Sequence, residues 1–598
     1  LPLFALSGIE GKIFTPLGIA YITSVLASLG VALTVTPAMC LYLLPGMKQM
    51  VHTRDSWLVA WLKRLHTWVL ERVFAYRWLA LGLTLGLFGG AVVLATTFGK
   101  EFLPPFNEGS VTINLLLPPG TSLEESNRIG TLAETLLLQV PEIHLTARRT
   151  GRAELDDHAE GVHSSEIDVE LGSSARTKKA VLHDIRSRLA QIPGLVVNVG
   201  QPISHRIDHL LSGVRAQIAI KLFGPDLALL RRKAAEIERV AATVPGIVDL
   251  QTEKQVLIPQ VHVRLNRQKA AQYGLMVGEV ADYIEMALQG KVVTQVLDGQ
   301  QSVDVVLRLT DAARNNVEAI QALPIDVARG KLLPLGLVAD IQESRGPNII
   351  VRENVGRRIV ISANVAGRDL VSAVQELQAQ VARQVALPPG YFLVYGGQFE
   401  SQASAAQLML LLGLLSLAGI FVVLWLHFKH LSLVLQIMLS IPFAFIGAVL
   451  GVYLTAGVFS IASLVGLITL IGIAARNGIM LIDHYLYLMR DEGAPLDLAL
   501  IYRGASERLA PVLMTALTAV LSLLPILAGP EEPGREILFP VAVVIFGGLF
   551  SGTCLNLLIT PLVFWLTRHR LVAQATAFPP LDATGARLRM EHGEGSAV

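Results

Sequence analysis

The sequence predicts a polytopic α-helical membrane protein with a large extracytoplasmic α+β region. Two observations lead to this prediction. Seven stretches are long and apolar enough to cross a bilayer, and a polar segment at 100–402 separates the second stretch from the third. Within this polar segment, a helix–turn–strand pattern recurs at a fixed spacing, which indicates a duplicated domain.

The membrane spans follow from the length of the apolar runs, because a helix needs about 20 apolar residues to cross the hydrocarbon core. The candidates are residues 16–44, 78–99, 403–427, 432–455, 459–487, 510–529 and 538–567. Six lysines and arginines lie in 48–77, and Arg568 and Arg570 follow the last span, which predicts a cytoplasmic location for both segments. The acidic loop 530–536 and the polar segment are then expected on the opposite side.

The duplication is visible in three prolines. Pro141, Pro193 and Pro245 each stand between a predicted helix and a predicted strand, and they are 52 residues apart. Pro388 follows Pro245 after one further repeat length plus about 90 residues, so the second copy is expected to carry an insertion at about 256–345. Each copy is predicted to be a ferredoxin-like βαββαβ unit.

The expected elements of the two copies have the same order, strand, helix, strand, strand, helix, strand. In the first copy they are 111–117, 122–139, 144–149, 165–171, 178–190 and 195–199, and in the second 217–222, 226–243, 247–252, 359–365, 369–386 and 391–395. The insertion lies between the second and third strands of the second copy, where the first copy has only the hairpin loop 150–164.

Composition excludes several functional classes. The formal net charge is +1, which argues against a nucleic-acid partner. The two cysteines, Cys40 and Cys554, lie in apolar runs and cannot form a disulfide framework or a Cys-based zinc site. No nucleotide-binding or catalytic motif is present. We therefore expect neither a bound cofactor nor enzymatic activity, and any transport would need an ion gradient because the sequence offers no ATP site.

The first cluster of possible ligands lies in the hairpin loop of the first copy. His158 and His163 stand among several carboxylates there, with Glu166 just beyond. Imidazole and carboxylate groups suit divalent ions such as Zn, Ni, Co or Cu(II). A solvated hairpin tip explains the same residues, and the sequence leaves both interpretations open.

The second cluster, His205, Asp208 and His209, lies in the linker between the two copies. If the linker is helical, the two histidines share a face, and a junction between domains is a common place for a binding cleft. A polar linker with hydrogen-bonded histidines is the alternative. The soft Cu(I) ligand methionine occurs in the polar segment only as Met276 and Met286, which counts against a Met-based Cu(I) or Ag(I) site.

The span at 459–487 carries an arginine in mid-helix. Residues 431–475 contain no Asp, Glu, Lys or Arg, and then Arg476 and Asn477 follow. A charge at this depth is costly, about 2.5–3.5 kcal/mol for an arginine at a helix centre on insertion scales, and by default marks a functional site.

Other polar residues of the bundle are closer to its cytoplasmic side. Asp483 and His484 are predicted to lie at the interface, where their side chains reach the headgroups. Arg508 precedes the next span, and Thr515 lies two turns further along on a similar face. Arg508 alone is also explained as a positive flank of the membrane.

Five short motifs are distributed along nearly the whole chain: Leu33–Cys40, Phe102–Gly109, Arg206–Gly213, Gly397–Glu400 and Arg508–Thr515. Together they resemble the resistance-nodulation-division (RND) superfamily of proton-driven efflux permeases. The second, third and fourth are most similar to its heavy-metal efflux branch. On this resemblance the chain is expected to be a fragment, running from the end of helix 5 to helix 12 of a twelve-helix permease.

The resemblance implies a division of the chain and a set of partners. Residues 1–46 would hold the end of one helix and helix 6, 47–77 a cytoplasmic connection, 78–99 helix 7, 100–213 the first periplasmic porter subdomain, 214–255 with 346–400 the second, 256–345 a docking subdomain, 403–567 helices 8–12 and 568–598 a cytoplasmic, disordered tail. A homotrimer in the inner membrane is implied, with a periplasmic adaptor protein and an outer-membrane channel as partners.

The resemblance also assigns a proton relay. The relay lysine of the drug-efflux branch falls on Arg476 in helix 10, next to Asn477, and the helix 11 positions fall on Arg508 and Thr515. Arginine does not release its proton at working pH. Arg476 is therefore expected to pair with a helix 4 carboxylate, which this chain does not contain, and to release it when that group is protonated.

The cargo site implied by the resemblance differs from that of the copper and silver pumps. Their three cleft methionines fall near Asn114, His209 and Leu275, a set that suits a borderline divalent ion better than Cu(I). His209 is the leading candidate ligand. The further candidates are His205, Asp208, Asn114, His158, His163 and Glu166.

The predicted function is proton-driven efflux of divalent heavy-metal cations by the inner-membrane permease of a tripartite pump. An organic cargo is the first alternative, disfavoured because aromatic residues form only 6% of the chain. A protein-translocation accessory subunit is the second, and it would lack the 256–345 insertion. A fragment without helices 1–5 is expected to transport nothing by itself.

Overall fold

A computed structural model describes residues 2–6, 8–43, 55–104, 106–151, 161–172, 176–253, 255–314, 316–327, 331–455, 457–529 and 534–567. His158, Arg568, Arg570 and the predicted tail lie outside these residues, as does most of the loop at 530–536.

Seven helical stretches of the described chain are long and apolar enough to cross a membrane, as predicted. They are Gly11–Leu43, Arg77–Thr96, Gln398–Phe428, Leu431–Thr455, Ile461–Arg490, Leu498–Ala528 and Leu538–Leu566. The sixth begins twelve residues before the predicted span at 510–529. Its first three turns carry Arg503, Glu507 and Arg508, and a search for apolar runs misses such an amphipathic helix end.

In the described chain, four α-helices precede the polar segment: α1 (Gly8–Leu33), α2 (Val35–Leu43), α3 (Trp57–Ala75) and α4 (Arg77–Thr96). Helix α3 was not predicted, because the 48–77 connection was judged by its charge alone. Ser56 caps its first turn by accepting a hydrogen bond from Val59 N at 3.4 Å. Its His66 and Leu70 are buried, so α3 packs on the protein with one face.

The polar segment begins with a two-residue strand, β1 (Gly99–Lys100), and continues with a four-stranded unit. The elements of this unit are β2 (Ser110–Leu116), α5 (Leu123–Leu137), β3 (Ile143–Thr150), β4 (Ser164–Leu171), α6 (Lys178–Leu189) and β5 (Val196–Gly200). The sheet is antiparallel with the order β3-β4-β2-β5. Helix α7 (Pro202–Ser212) then leads to the second unit.

Side chains alternate across this first sheet. Val111, Ile113 and Leu115 on β2 are almost fully buried and join a core with α5 and α6. The residues between them, Thr112 and Asn114, point to the other face, which is therefore polar.

The second unit begins with β6 (Ile218–Phe223), α8 (Leu227–Ala241) and β7 (Ile247–Thr252). A segment with its own core follows, made of β8 (Leu257–Leu265), α9 (Arg267–Gln272), α10 (Val277–Leu288), β9 (Lys291–Asp298), β10 (Gln301–Leu307), α11 (Val317–Gln321), β11 (Pro324–Val327), β12 (Lys331–Pro334) and β13 (Ala339–Pro347). β8 and β13 pair antiparallel along nine residues each, so this segment leaves and rejoins the second unit at one place.

The second unit is completed by β14 (Arg352–Glu353), β15 (Gly356–Val365), α12 (Leu370–Gln384) and β16 (Phe392–Gly397). β15 pairs with β7 and β6, and β6 pairs with β16, which gives the order β7-β15-β6-β16. Both units therefore place their second, third, first and fourth strands side by side in that order, as expected for copies of one domain.

The remaining membrane helices are α13 (Gln398–Phe428), α14 (Leu431–Met438), α15 (Ser440–Thr455), α16 (Ile461–Arg490), α17 (Leu498–Ala528) and α18 (Leu538–Leu566). Between α15 and α16, the short strand β17 (Val458–Phe459) pairs in parallel with β1.

Helices α15 and α18 approach unusually closely. A Cβ added at Gly447 on α15 would overlap the main-chain oxygen of Gly547 on α18. A Cβ added at Gly547 would in turn overlap the main-chain oxygen of Gly447. Ser551 on α18 accepts a hydrogen bond from Gly447 N at 2.9 Å and donates one to Phe443 O at 2.7 Å. Small residues that allow backbones to meet are a recurrent basis of helix packing in membranes.

Candidate functional site

The polar face of the first sheet and helix α7 form an open cleft of about 360 Å³. Glu166 and Asp168 on β4 line it, since residues i and i+2 of a strand point to the same face. His209 contributes from α7, and Arg149, Arg206 and Arg215 also line the cleft. Two carboxylates, three guanidinium groups and the imidazoles of His205 and His209 therefore meet on one surface.

Helix α7 is positioned by the Phe102–Gly109 motif. The Glu108 carboxylate accepts hydrogen bonds from Ile203 N at 2.8 Å and Ser204 N at 3.3 Å, at the helix N-terminus. A negative charge there satisfies orphan N–H groups and stabilises the helix dipole. Gly213 ends the helix with a φ of +75°, and its N–H donates to His209 O at 2.8 Å.

His205 is held inside the protein. It is buried, and its Nδ1 lies 3.2 Å from Asn114 Nδ2, which donates to it. The other ring nitrogen faces Gly200, where an added Cβ would overlap Nε2. Burial, with a smaller contribution from Arg215, lowers the pKa of His205 from 6.5 to about 4, against the opposing effect of Asp249 and Asp168. The ring is therefore neutral at physiological pH, with both nitrogens directed at protein groups.

The carboxylate of Glu166 is bound by two guanidinium groups. Arg215 Nη1 donates to its Oε2 at 2.6 Å, and Arg149 Nη2 pairs with its Oε1. Arg215 Nη1 also donates to Asn114 Oδ1 at 2.8 Å. On the same strand, Asp168 accepts from Thr112 Oγ1 at 2.9 Å. Both cleft carboxylates thus already have donor partners.

The structure brings four of the predicted ligand residues together and separates His163 and Asp208 from them. Asn114, His205, Glu166 and His209 meet at the cleft, and His209 is half-buried one turn after His205. His163 precedes β4, where its main-chain oxygen accepts from Leu117 N at 2.9 Å, and it does not line the cleft. In the part of the chain that the structure describes, no three His, Cys, Asp or Glu side chains converge as a ready metal site.

Asp208 points away from the cleft, towards the first membrane helix after the polar segment. It is buried, and its Oδ1 accepts a hydrogen bond of 2.7 Å from Nε2 of Gln398, the first residue of α13. Burial raises the pKa of Asp208 from 3.8 to about 6, although the Gln398 hydrogen bond opposes this change. Asp208 therefore lies at a contact between α7 and a membrane helix.

Asp208→Asn is expected to stabilise the protein at pH 7.5 and not at pH 4. Because the folded-state pKa is raised, ionising Asp208 reduces stability as the pH rises from about 4 to 6, by at most roughly 3 kcal/mol. The amide keeps an acceptor for Gln398 and removes the charge. Thermal unfolding in detergent and metal-free buffer at both pH values measures the difference. The exposed Asp282→Asn is the control, and an equal effect of both variants at both pH values would contradict the assignment.

A second contact joins α18 to the first unit. Glu536, two residues before α18, accepts a hydrogen bond of 2.8 Å from Asn107 N. Lys178 at the start of α6 donates to Asn107 Oδ1 at 3.1 Å and to Gln201 Oε1 at 2.5 Å. Burial lowers the pKa of Lys178, while the charges of Glu108 and Glu536 oppose the shift. This polar cluster connects the membrane bundle with α6 and the start of α7.

In the bundle, Arg476 and Asn477 face different ways. Arg476 lies in the middle of α16 with an exposed side chain, and it forms no hydrogen bond or ion pair with any residue that the structure describes. Asn477 is 8% exposed and faces α15 and α18.

The neighbouring helix α17 carries the other two predicted relay residues. Arg508 is half-buried, and its Nε is buried without a hydrogen-bond partner among the described residues. Thr515 is exposed, with its hydroxyl donating to Val512 O at 2.9 Å. Near the helix end, His484 Nε2 lies 2.8 Å from Glu507 Oε2, which the sequence did not indicate.

The sequence-based prediction did not include the three cleft arginines, Asp168 or the Glu536 contact. Asp168 could have been found, because Glu166 and Asp168 alternate with the apolar Ile167 and Val169 on β4. Arg215 lies in an irregular linker, where no periodicity shows which way a side chain points. Its role depends on its contacts with Glu166 and Asn114, which stand 49 and 101 residues earlier in the chain.

Two copies of one α/β unit joined to apolar helices are the arrangement that the RND resemblance of the sequence motifs led us to expect. Residues 1–568 match the model of the AcrB/AcrD/AcrF family, and the chain belongs to this family. The resemblance seen in the sequence motifs is thereby confirmed.

Several curated relatives are metal-resistance proteins by name. The chain is 34% identical over 582 residues to the cobalt-zinc-cadmium resistance protein CzcA of Cupriavidus metallidurans, covering 95% of this chain and 54% of that protein. It is 30% identical over 593 residues to the cation efflux system protein CusA of Escherichia coli, covering 96% and 56%. The chain thus spans about half the length of the curated relatives it matches.

A solved structure gives the same result for the fold. The crystal structure of a heavy metal efflux pump matches with a TM-score of 0.80 at 31% identity, covering 95% of this chain and 57% of that one. The sequence and fold comparisons therefore agree on the heavy-metal branch of the family.

Proposed function

We propose that this chain supplies the second half of an inner-membrane permease that exports divalent heavy-metal cations, driven by protons. The observation that carries this proposal is the cleft, where His209, Glu166 and Asp168 present imidazole and carboxylate donors beside α7. These are the donors that borderline divalent ions prefer. The relatives named for cobalt, zinc, cadmium and nickel support the same cargo class.

In this proposal the polar segment is periplasmic and its two α/β units are ferredoxin-like porter subdomains. The segment from β8 to β13 is the docking subdomain that meets the outer-membrane channel. The permease acts as a homotrimer with a periplasmic adaptor protein. The positive charge of the 48–77 connection supports this orientation.

Cargo binding requires Glu166 to change partners. Its two oxygens are occupied by Arg149 and Arg215, so a cation can use this carboxylate only when at least one guanidinium moves away. Arg215 also holds Asn114, which in turn holds His205. Release of Arg215 therefore frees three candidate ligands together, and we propose that this exchange is the capture step.

The energy input is proposed to act through Arg476. An exposed guanidinium in mid-membrane is unfavourable against lipid. Since the relatives are almost twice as long as this chain, their additional helices are proposed to cover Arg476 and to provide a carboxylate partner. Protonation of that carboxylate would release Arg476, and Arg508 and Thr515 would complete the relay on α17.

The cargo assignment is tested with His209→Ala in the full-length permease. A pump-deleted host carrying this variant is expected to lose resistance to the exported metal, with the inhibitory concentration falling to that of the empty host. His183→Ala is the matched control, because His183 is exposed on α6, on the opposite side of the sheet. Unchanged resistance with His209→Ala would remove His209 from the ligand set.

An organic cargo is the rival hypothesis, and the lining of the cleft speaks against it. The described residues that line the cleft include no Phe, Tyr or Trp and are mostly charged or polar. Sites for apolar compounds are lined mainly by hydrophobic and aromatic side chains. Equal sensitivity of the deleted host to dyes and metals would favour this rival.

A further inference from the structure

A small polar cavity lies inside the membrane bundle, away from the cleft. Its volume is about 10 Å³, and residues of helices α15, α16 and α18 line it. Three polar side chains line it, one from each helix: Ser440, Asn477 and Thr553. The rest of the lining is apolar, so these three groups have few other places to form hydrogen bonds.

Two of these side chains are buried without a partner. Thr553 is 4% exposed, and its hydroxyl forms no hydrogen bond with any described residue. Asn477 is 8% exposed, and within the described chain its side-chain amide also forms none. Ser440 donates to Ile437 O at 2.6 Å, which leaves the lone pairs of its oxygen available. Leaving a buried amide or hydroxyl unsatisfied is unfavourable, particularly where lipid excludes bulk water.

The walls of the cavity are fixed by close helix packing. A Cβ at Gly548 on α18 would overlap the Leu470 side chain of α16, and one at Gly552 would lie 3.2 Å from Ala444 Cβ. Ser440 begins α15 directly after the interruption at Leu439 that separates α14 from α15. These contacts leave little room for α18 to approach α15 or α16 more closely.

We infer that this cavity binds one water molecule, which bridges the Asn477 amide, the Thr553 hydroxyl and the Ser440 oxygen. Its volume matches the roughly 10–15 Å³ that a single buried water needs, and three polar neighbours lie within the usual two to four partners. The lining contains no carboxylate, which favours a neutral occupant over a cation. The water links α15, α16 and α18 through hydrogen bonds one residue away from Arg476.

Thr553→Val tests the inference, because valine replaces the hydroxyl by a methyl group of the same shape. If water is bound, the variant loses a hydrogen bond and its thermal unfolding midpoint falls by a few degrees. If the hydroxyl has no partner, removing it leaves the midpoint unchanged or raises it, and the inference is wrong. Thr469→Val on α16 is the control, since Thr469 is half-buried and donates to its own helix at Val465 O, 3.0 Å away.

A double-mutant cycle with Asn477→Leu tests the bridge itself. Thr553 and Asn477 share no hydrogen bond in the described structure. If one water bridges them, the unfolding midpoint of the double variant is expected to fall by less than the sum of the decreases in the two single variants. Additive losses would overturn the bridge. A bound cation would give a different result. The unfolding midpoint of the unaltered protein would then rise with Na⁺ but not with choline, and the midpoint of Thr553→Val would not respond to Na⁺.

A labelling experiment remains decisive even if the variants fail to fold. Radiolysis of protein-bound water by X-rays generates hydroxyl radicals that modify the side chains next to it. Leu470 lines the cavity and is 3% exposed, so bulk water does not reach it. Rapid modification of Leu470 in the unaltered protein is expected, and its absence under conditions that label exposed residues would refute the bound water.

Discussion

Gly447→Ala is expected to destabilise the membrane bundle by about 3 kcal/mol or more, the upper part of the range for overpacked cores. The new Cβ would overlap the main-chain oxygen of Gly547 and the Ser551 side chain. A backbone atom cannot rotate away, so α15 and α18 must separate. Separation also breaks the two hydrogen bonds that Ser551 makes with α15.

The measurement is thermal unfolding in detergent, followed by the loss of the monodisperse chromatographic peak. Gly413→Ala is the matched control, because Gly413 lies in membrane helix α13 with no atom within 4 Å of an added Cβ. Alanine favours a helix over glycine by up to about 1 kcal/mol, so the control should be neutral or slightly stabilised. Equal midpoints for the two variants would show that the α15–α18 contact is looser than described.

Arg476→Leu is expected to abolish metal export by the full-length permease without reducing the amount of protein in the membrane. Removing an arginine from mid-helix makes insertion easier, by about 2.5–3.5 kcal/mol on insertion scales, so loss of function cannot be attributed to failed insertion. Arg476→Lys keeps the positive charge and is expected to retain part of the activity.

Export is measured as proton-driven metal transport in vesicles, with quantitative detection of the permease. Arg490→Leu removes an arginine at the last residue of the same helix and is expected to leave export largely intact. Full transport by Arg476→Leu would exclude Arg476 from the proton path, whereas equal loss in both variants would point to a general effect on α16.

The regular elements were predictable because their signals are local. Apolar runs gave the seven spans, and the recurring proline turns gave two copies whose strands lie within a few residues of the predicted positions. Helix periodicity also placed His205 and His209 on one face. Periodicity did not separate Asp208 from them, since residues three apart are neighbours on a helix, and only the fold shows that Asp208 faces Gln398 on α13 and not the cleft.

The interior of the cleft was not predictable, because it depends on contacts between distant residues. Asn114 and His205 are 91 positions apart, and nothing in either local sequence indicates that they meet. The arginine contacts to Glu166 also arise only after the sheet forms, since β3 must lie beside β4 to place Arg149 next to it. Local patterns therefore identified the donors, and only the fold showed their partners.

The short parallel pairing of β1 with β17 bears on the order in which the protein assembles. It joins Gly99–Lys100 to Val458–Phe459, more than 350 residues later in the chain. Closing so long a loop in an unfolded chain is entropically unfavourable, and two residue pairs offer little in return. Once the polar segment has folded, however, Lys100 N donates a hydrogen bond of 3.3 Å to Asp369 at the start of α12. This contact fixes β1 in a position where β17 can pair with it. Folding of the polar segment is therefore expected to precede the docking of α15 and α16 against α4, and a mutation that slows it would also delay maturation of the membrane bundle.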